Sequence, residues 1–291
     1  MVPDAATSLV GRVVLVTGAT SGVGESTAHA LGAAGATVIL TGRNIDRGRD
    51  VAAAIGSGAE MHRVDLADLS SIRAFVDSIG ERQIDVLVNN AGVMAVPLRR
   101  TVDGFEMQMG TNHLGHFALT GLLLPRITGR VVTVSSAAHL VGRMDLADLN
   151  WERRPYNRAA AYAQSKLANL MFSLELERRL AEARSPVCAV AAHPGYAATE
   201  VGSHTGTWFD RLFGFGKTIL QRTPDEGAES VVVAASDPGI TGGFVGPRFL
   251  LYGAPGRAGI ARRARDRESA ARLWELSEEL TGVRFTLGRQ V

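Results

Sequence analysis

Tyr162 and Lys166 stand four residues apart in the segment AYAQSKLANLMF. On a helix, positions i and i+4 share a face, so an ammonium can sit beside a phenol. A free tyrosine titrates near about 10, and a neighbouring cation favours its ionised form. A phenol tuned in this way toward neutral pH can act as a general acid or base. Alone, Y-x-x-x-K would be a chance pair on a solvated helix. The loop TGATSGVG near the N-terminus and the serine pair Ser135–Ser136 upstream argue against chance.

That loop supplies the second half of the chemistry. Gly18, Gly22 and Gly24, with Ser21 and Val23 between them, follow an apolar run and open a helical one. Missing side chains let the backbone approach a pyrophosphate, and a helix N-terminus favours its charge. The spacing is G-x-x-x-G-x-G, so a tight turn without a ligand is the competing reading. At the end of the second apolar run, an acidic residue would read a ribose 2′-hydroxyl. The sequence has Gly42 and Arg43 there. Arg43 can pair with a 2′-phosphate through charge-assisted hydrogen bonds, which favours NADP(H) while leaving NAD(H) open. Otherwise it is a solvated loop arginine like Arg47 and Arg49. Asp65–Leu66 ends the third run, where the aspartate can accept from an adenine amino group or serve a turn. Asn89, Ala91 and Gly92 end the fourth. Gly92 permits close ligand approach, whereas Asn89 either meets the cofactor or satisfies backbone groups between strands.

Parallel strands and crossover helices must hold these pieces. RVVLVTG, TVILTG, EMHRVDL, IDVLVNNAG, GRVVTVSS and PVCAVAAHPG are apolar runs ending in small or polar residues, and they read as buried strands. Helical stretches alternate with them: Gly24–Ala34, Ser70–Ile79, Asp103–Leu124, Ala159–Arg184 and Asp225–Ser236. The alternation implies an α/β fold with a parallel sheet, and strands apolar throughout imply helices on both faces. RESAARLWELSEEL reads as an amphipathic helix that packs back on the body. No linker interrupts 1–291, so the expectation is a single domain.

Composition narrows the partners. The 291 residues are 46% hydrophobic and 21% charged, as in an ordinary globular protein. A net charge of +2 argues against nucleic acid. The basic run Arg257–Arg267 reads as a solvated face, because Asp266 and Glu268 interrupt or border it. The single cysteine, Cys188, excludes an internal disulfide and fits a reducing compartment. With no signal peptide and no apolar run long enough for a bilayer, the expected location is cytoplasmic. The seven histidines lack ligand spacing, so no metal is expected, and His113 with His116 reads as a core pair.

Taken in order, TGATSGVG, NNAG, the asparagine of GTNHLGHF, VVTVSS, YAQSK and HPG resemble the short-chain dehydrogenase/reductase family over essentially the whole chain. TGRN, TNHLGHFALTGLLLP, AAHPGYAATE and the ending RLWELSEEL resemble its retinol-dehydrogenase-like and WW-domain-oxidoreductase-like branch. The resemblance implies a Rossmann-type, doubly wound parallel sheet with helices on both faces. It implies Tyr162 as proton donor to a carbonyl or base for an alcohol. Ser136, with Ser135 as the alternative, would hold the substrate oxygen. Lys166 would assist Tyr162 and grip the nicotinamide ribose, and the Asn112 side chain would hold a water of the proton relay. Pro194, Gly195 and Thr199 would receive the carboxamide.

Residues 199–222 form the expected substrate lid. Trp208, Phe209 and Phe213, with His139 and Tyr196, are candidate contacts to an apolar substrate. A subunit interface or a membrane surface would also suit the aromatics. The reading is an NADP(H)-dependent oxidoreductase of carbonyls and alcohols. A cofactor-binding sensor without turnover and a carbon–carbon double-bond reductase are the alternatives. The resemblance also implies a homodimer or homotetramer, with a monomer possible in this branch.

Overall fold

Strand β1 (Val13–Thr17) is apolar because both its faces are covered. Val14 and Val16 point into one core and Leu15 into the other, as the period-2 alternation of a strand requires. The computed structural model describes residues 8–195, 223–249 and 252–287. Seven strands run parallel: β1, β2 (Thr37–Gly42), β3 (Glu60–Arg63), β4 (Ile84–Asn89), β5 (Ile127–Val134), β6 (Cys188–Ala192) and β7 (Phe244–Pro247). β8 (Pro255–Arg257) pairs antiparallel with β7, giving the order β3-β2-β1-β4-β5-β6-β7-β8. The chain leaves β1 toward β2 and β3, then returns to place β4 on its other side. Such a switch opens a crevice at the carboxyl ends of the two strands.

Helices α1 (Gly22–Ala33), α2 (Ile45–Ile55) and α7 (Pro224–Ser236) cover one face of this single α/β sheet. The other face carries α3 (Leu69–Ser78), α4 (Met107–Met109), α5 (Gly115–Leu123), α6 (Arg158–Glu182) and α8 (Arg267–Thr281). The C-terminal helix does fold back. Trp274 of α8 stacks on Phe172 of α6 with centroids 5.8 Å apart and meets the Phe117 edge of α5 at 5.2 Å. Asp68, Asn157 and Asp266 cap α3, α6 and α8 by accepting backbone N–H bonds, which satisfies the donors a helix start leaves free.

Three features differ from the sequence expectation. The helix expected over Asp103–Leu124 starts only at Met107, because 101–105 forms a turn. Phe105 N–H bonds the Thr101 hydroxyl, and Gly104 has φ +86°. Within that helix, Gly110–Leu114 is a π-turn, with Gly115 N–H reaching back to the Gly110 carbonyl. The short strands β7 and β8 carry too little periodicity to stand out in sequence.

Candidate active site

The β1–β4 crest is shaped by glycine. Gly18 and Gly22 adopt φ of +65° and +55°, a region L side chains rarely enter. A methyl group on Gly18 would lie 2.8 Å from Ala91 Cα. One on Gly24 would overlap the Gly18 carbonyl and the Asn90 side-chain amide. The loop is therefore drawn tight against NNAG, and α1 presents its first N–H groups above it. Ser21 precedes α1 without a side-chain capping bond. The side chains of Val23 and Leu66 are buried in the cores, so only their backbones can face a ligand.

Asn90, rather than Asn89, joins the strands. Its Nδ2 donates to the Thr17 carbonyl at 2.8 Å, and its backbone N–H donates to the Thr17 hydroxyl at 2.9 Å. Asn89 instead points to the other face and donates to Thr120 Oγ1 at 2.8 Å. In a strand, adjacent residues face opposite sides, which decides between two neighbouring asparagines that the sequence alone leaves equal. Asp65 takes up the turn role: its Oδ1 accepts from Ala67 N–H at 3.0 Å.

At the β2 end, Arg47 is paired with Glu25 at 2.5 Å and Arg49 lies 3.7 Å from Asp46. Arg43 is exposed and, among the described residues, has no carboxylate partner. Strand register sets Gly42 opposite Arg63, a second exposed guanidinium at this crest. It is a candidate that the sequence reading lacks, because only the β2–β3 register brings it there.

Across the crest, β5 and α6 bring the remaining candidates together. Ser135 is buried and donates to the Lys166 carbonyl at 2.7 Å. Ser136 is the serine that faces the Tyr162 phenol. Its hydroxyl also accepts from Ala138 N–H at 3.2 Å, starting a short 3-10 turn. Lys166 is buried, and its Nζ donates to the Val134 carbonyl at 3.1 Å. The ammonium lies 5.8 Å from the Tyr162 ring centroid. Burial lowers Lys166 to about 8. It raises Tyr162 above its ordinary value, and the hydrogen bond from Ser136 only opposes that shift. Where the sequence expects the lysine to tune the phenol downward, burial acts on Tyr162 in the opposite direction.

Asn112 also differs from its expected role. Its Oδ1 accepts from Val93 N–H at 2.8 Å, and its Nδ2 donates to the Val93 carbonyl and to Ser165 Oγ, each at 2.9 Å. Both amide protons are committed, so the side chain braces the 91–93 loop against α6 rather than donating to a water. A methyl group on Gly92 would lie 3.0 Å from Asn112 Oδ1 and 3.5 Å from Lys166 Nζ. The glycine leaves room where the two halves meet.

His139 is fully buried, correcting its assignment to the substrate. Nδ1 donates to the Ser136 carbonyl at 2.7 Å, Nε2 accepts from Ala261 N–H at 3.4 Å, and the ring abuts Phe244. Pro194 and Gly195 follow β6 at the same crest, Gly195 with φ +75°. Tyr196, Thr199, Trp208, Phe209 and Phe213 lie outside the described residues.

The sequence profile described as short chain dehydrogenase matches residues 12–209. The chain belongs to that family, and so to the oxidoreductases that act on alcohol and carbonyl groups. Within it the chain is retinol-dehydrogenase-like. It is 41% identical to retinol dehydrogenase 13 of Homo sapiens, over 97% of this chain and 87% of that protein. It is 43% identical to polyprenol dehydrogenase of Mus musculus, over 94% and 84% respectively. A crystal structure of an uncharacterised Mycobacterium paratuberculosis protein superposes with a TM-score of 0.85 at 50% identity, covering 97% of each chain. Two more distant structures carry nicotinamide dinucleotides. One is a short chain dehydrogenase of Burkholderia cenocepacia with NADP (25% identity, TM-score 0.64, 80% of this chain and 94% of that one). The other is a 3-ketoacyl-(acyl-carrier-protein) reductase of Brucella melitensis with NADH (25%, 0.62, 79% and 93%). No described helix is long and apolar enough to cross a membrane.

Proposed function

We propose that the chain is an NADP(H)-dependent oxidoreductase that interconverts a carbonyl and an alcohol on an apolar small molecule. The observation that carries this reading is the convergence of Ser136, Tyr162 and Lys166 on the crest beside Gly92. The glycine turn leads into the N-terminus of α1, whose free N–H groups suit a pyrophosphate. Gly18, Gly22 and Gly24 would hold the pyrophosphate, and Arg43 the 2′-phosphate. Lys166 would hold the nicotinamide ribose, beside Gly92, Pro194 and Gly195. When bound, that cofactor supplies or accepts the hydride.

The chain's own residues manage the oxygen. Ser136 donates to it as negative charge develops during reduction, and such donors are most effective in a dry, preorganised site. Tyr162 then transfers its proton to the oxygen. In alcohol oxidation the same group, as phenolate, takes the proton from the hydroxyl. The buried Lys166 ammonium stabilises the phenolate left behind. The names of the relatives, retinol and polyprenol dehydrogenases, support an apolar alcohol or aldehyde as substrate.

The test is a fluorescence titration with NADPH and NADH, followed by turnover of long-chain aldehydes. Tight NADPH binding, with NADH roughly 10- to 100-fold weaker, is expected from one charge-assisted contact of about 1.5–3 kcal/mol. Equal binding would remove Arg43 from the account. Binding without turnover of any aldehyde or ketone would favour a sensor.

A further inference from the structure

His116 stands in the second position of α5, fully enclosed, between the cradle and the Asn112 turn. Its Nδ1 lies 2.9 Å from the Asn112 carbonyl oxygen and its Nε2 lies 2.8 Å from Thr17 Oγ1. A carbonyl can only accept, so Nδ1 carries the ring proton, and in the neutral ring Nε2 accepts. Thr17 Oγ1 already accepts two backbone N–H groups, from Asn90 at 2.9 Å and Ala91 at 3.0 Å. Its own proton must therefore leave, and His116 Nε2 is a nearer acceptor than the Val88 carbonyl at 3.3 Å.

These choices fix every proton in a directional chain. Asn90 and Ala91 donate to Thr17, Thr17 donates to His116, and His116 donates to the Asn112 carbonyl. Thr17 is the residue immediately before Gly18. The Asn112 side chain continues the brace to Val93 and to Ser165, whose hydroxyl donates to the Tyr162 carbonyl at 2.8 Å. A second ring proton would point at the Thr17 hydroxyl and break the chain. Burial opposes that proton, and the nearby Lys166 charge adds to the opposition.

We infer that His116 is a positioning residue, held as the neutral Nδ1–H tautomer, that registers the dinucleotide cradle to the Asn112 turn through Thr17. Its ring is enclosed and both nitrogens are bonded to the protein, so its effect on binding passes through Thr17 and the loop that Thr17 anchors. The inference rests on the dinucleotide role proposed for that loop.

The experiment has two arms. In the first, NADPH dissociation constants are measured for wild type, His116→Phe, His116→Gln, Thr17→Val and the double variant Thr17→Val/His116→Phe. His116→Phe keeps a ring and removes both nitrogens, and it should weaken NADPH by ~10-fold, the loss of about one hydrogen bond. His116→Gln, which can donate and accept, should recover most of that loss. In the Thr17→Val background, His116→Phe should add less than about twofold, because neighbours on one path are not additive. A role confined to packing would lower the melting temperature and leave these constants unchanged, and that result, or fully additive losses, would overturn the inference. The second arm reads the ring by 15N NMR. A single neutral Nδ1–H tautomer from pH 5 to 8 is expected of the chain shown by the bond geometry, and an Nε2–H tautomer or a titrating ring would overturn it even without ligand. Wild type that binds neither NADPH nor NADH would defeat the oxidoreductase reading itself, while the tautomer would still decide the chain.

Discussion

The two sides of the crest achieve closeness by opposite means. On the β1–β4 side, side chains are left out: Gly18 and Gly24 have no room for a methyl. On the β5–α6 side, polar side chains are present and hydrogen-bonded to one another or to backbone, as at Asn112, Ser135 and Lys166. The first side should be sensitive to any added atom. The second should be sensitive to the loss of a polar atom even when shape is kept. A buried donor or acceptor stripped of its partner carries a penalty of about 1–3 kcal/mol.

The largest expected effect lies on the hydrogen-bonded side. Tyr162→Phe deletes one oxygen and should lower aldehyde reduction by about 10²–10⁴-fold, with NADPH affinity and melting temperature close to wild type. Retained turnover would place the proton donor elsewhere.

Acid should expose the same side next. Burial lowers His113 to about 3 and His116 to about 4. Both rings stay neutral in the folded chain, whereas the unfolded chain takes up their protons below about 6.5. Stability is therefore complete above 6.5 and falls as pH drops, by about 1.4 kcal/mol per pH unit for each ring until its folded value is reached. Urea midpoints between pH 7 and 4.5 measure this. A flat profile would contradict the neutral burial of the pair.

On the glycine side, Arg43→Ala should weaken NADPH by roughly 10- to 100-fold and leave NADH unchanged. An equal loss for both dinucleotides would assign Arg43 to something other than the 2′-phosphate. Gly24→Ala should destabilise the chain by about 1–3 kcal/mol through overpacking against Gly18 and Asn90, and it should weaken both dinucleotides together. A variant as stable as wild type would show that the cradle has slack.

This contrast also explains what the sequence made legible. The strands around Val14, Leu87 and Val132 announce themselves by being apolar throughout, because a sheet covered on both faces needs nothing else there. Gly18, Gly22 and Gly24 are visible because a tight turn restricts residue type. The partners of a polar side chain are not encoded locally. Asn89 and Asn90 look alike until the pleat assigns them opposite faces, and His139 reads as a substrate contact until Phe244 and Ala261 arrive from more than 100 residues downstream. The π-turn at Gly110–Leu114 is equally silent, and the helices α6 and α8 that it packs against lie far along the chain. His116 was legible only as a core residue, and its two bonds reach Thr17, 99 positions away, and Asn112, one turn back.

The most direct test of the account is to supply NADPH deuterated at nicotinamide C4 together with a long-chain aldehyde and to analyse the alcohol formed. Deuterium on the carbinol carbon, formed about 10²–10⁴-fold more slowly by Tyr162→Phe, is the predicted result. Bound NADPH with no deuterium in any product would contradict the proposed function.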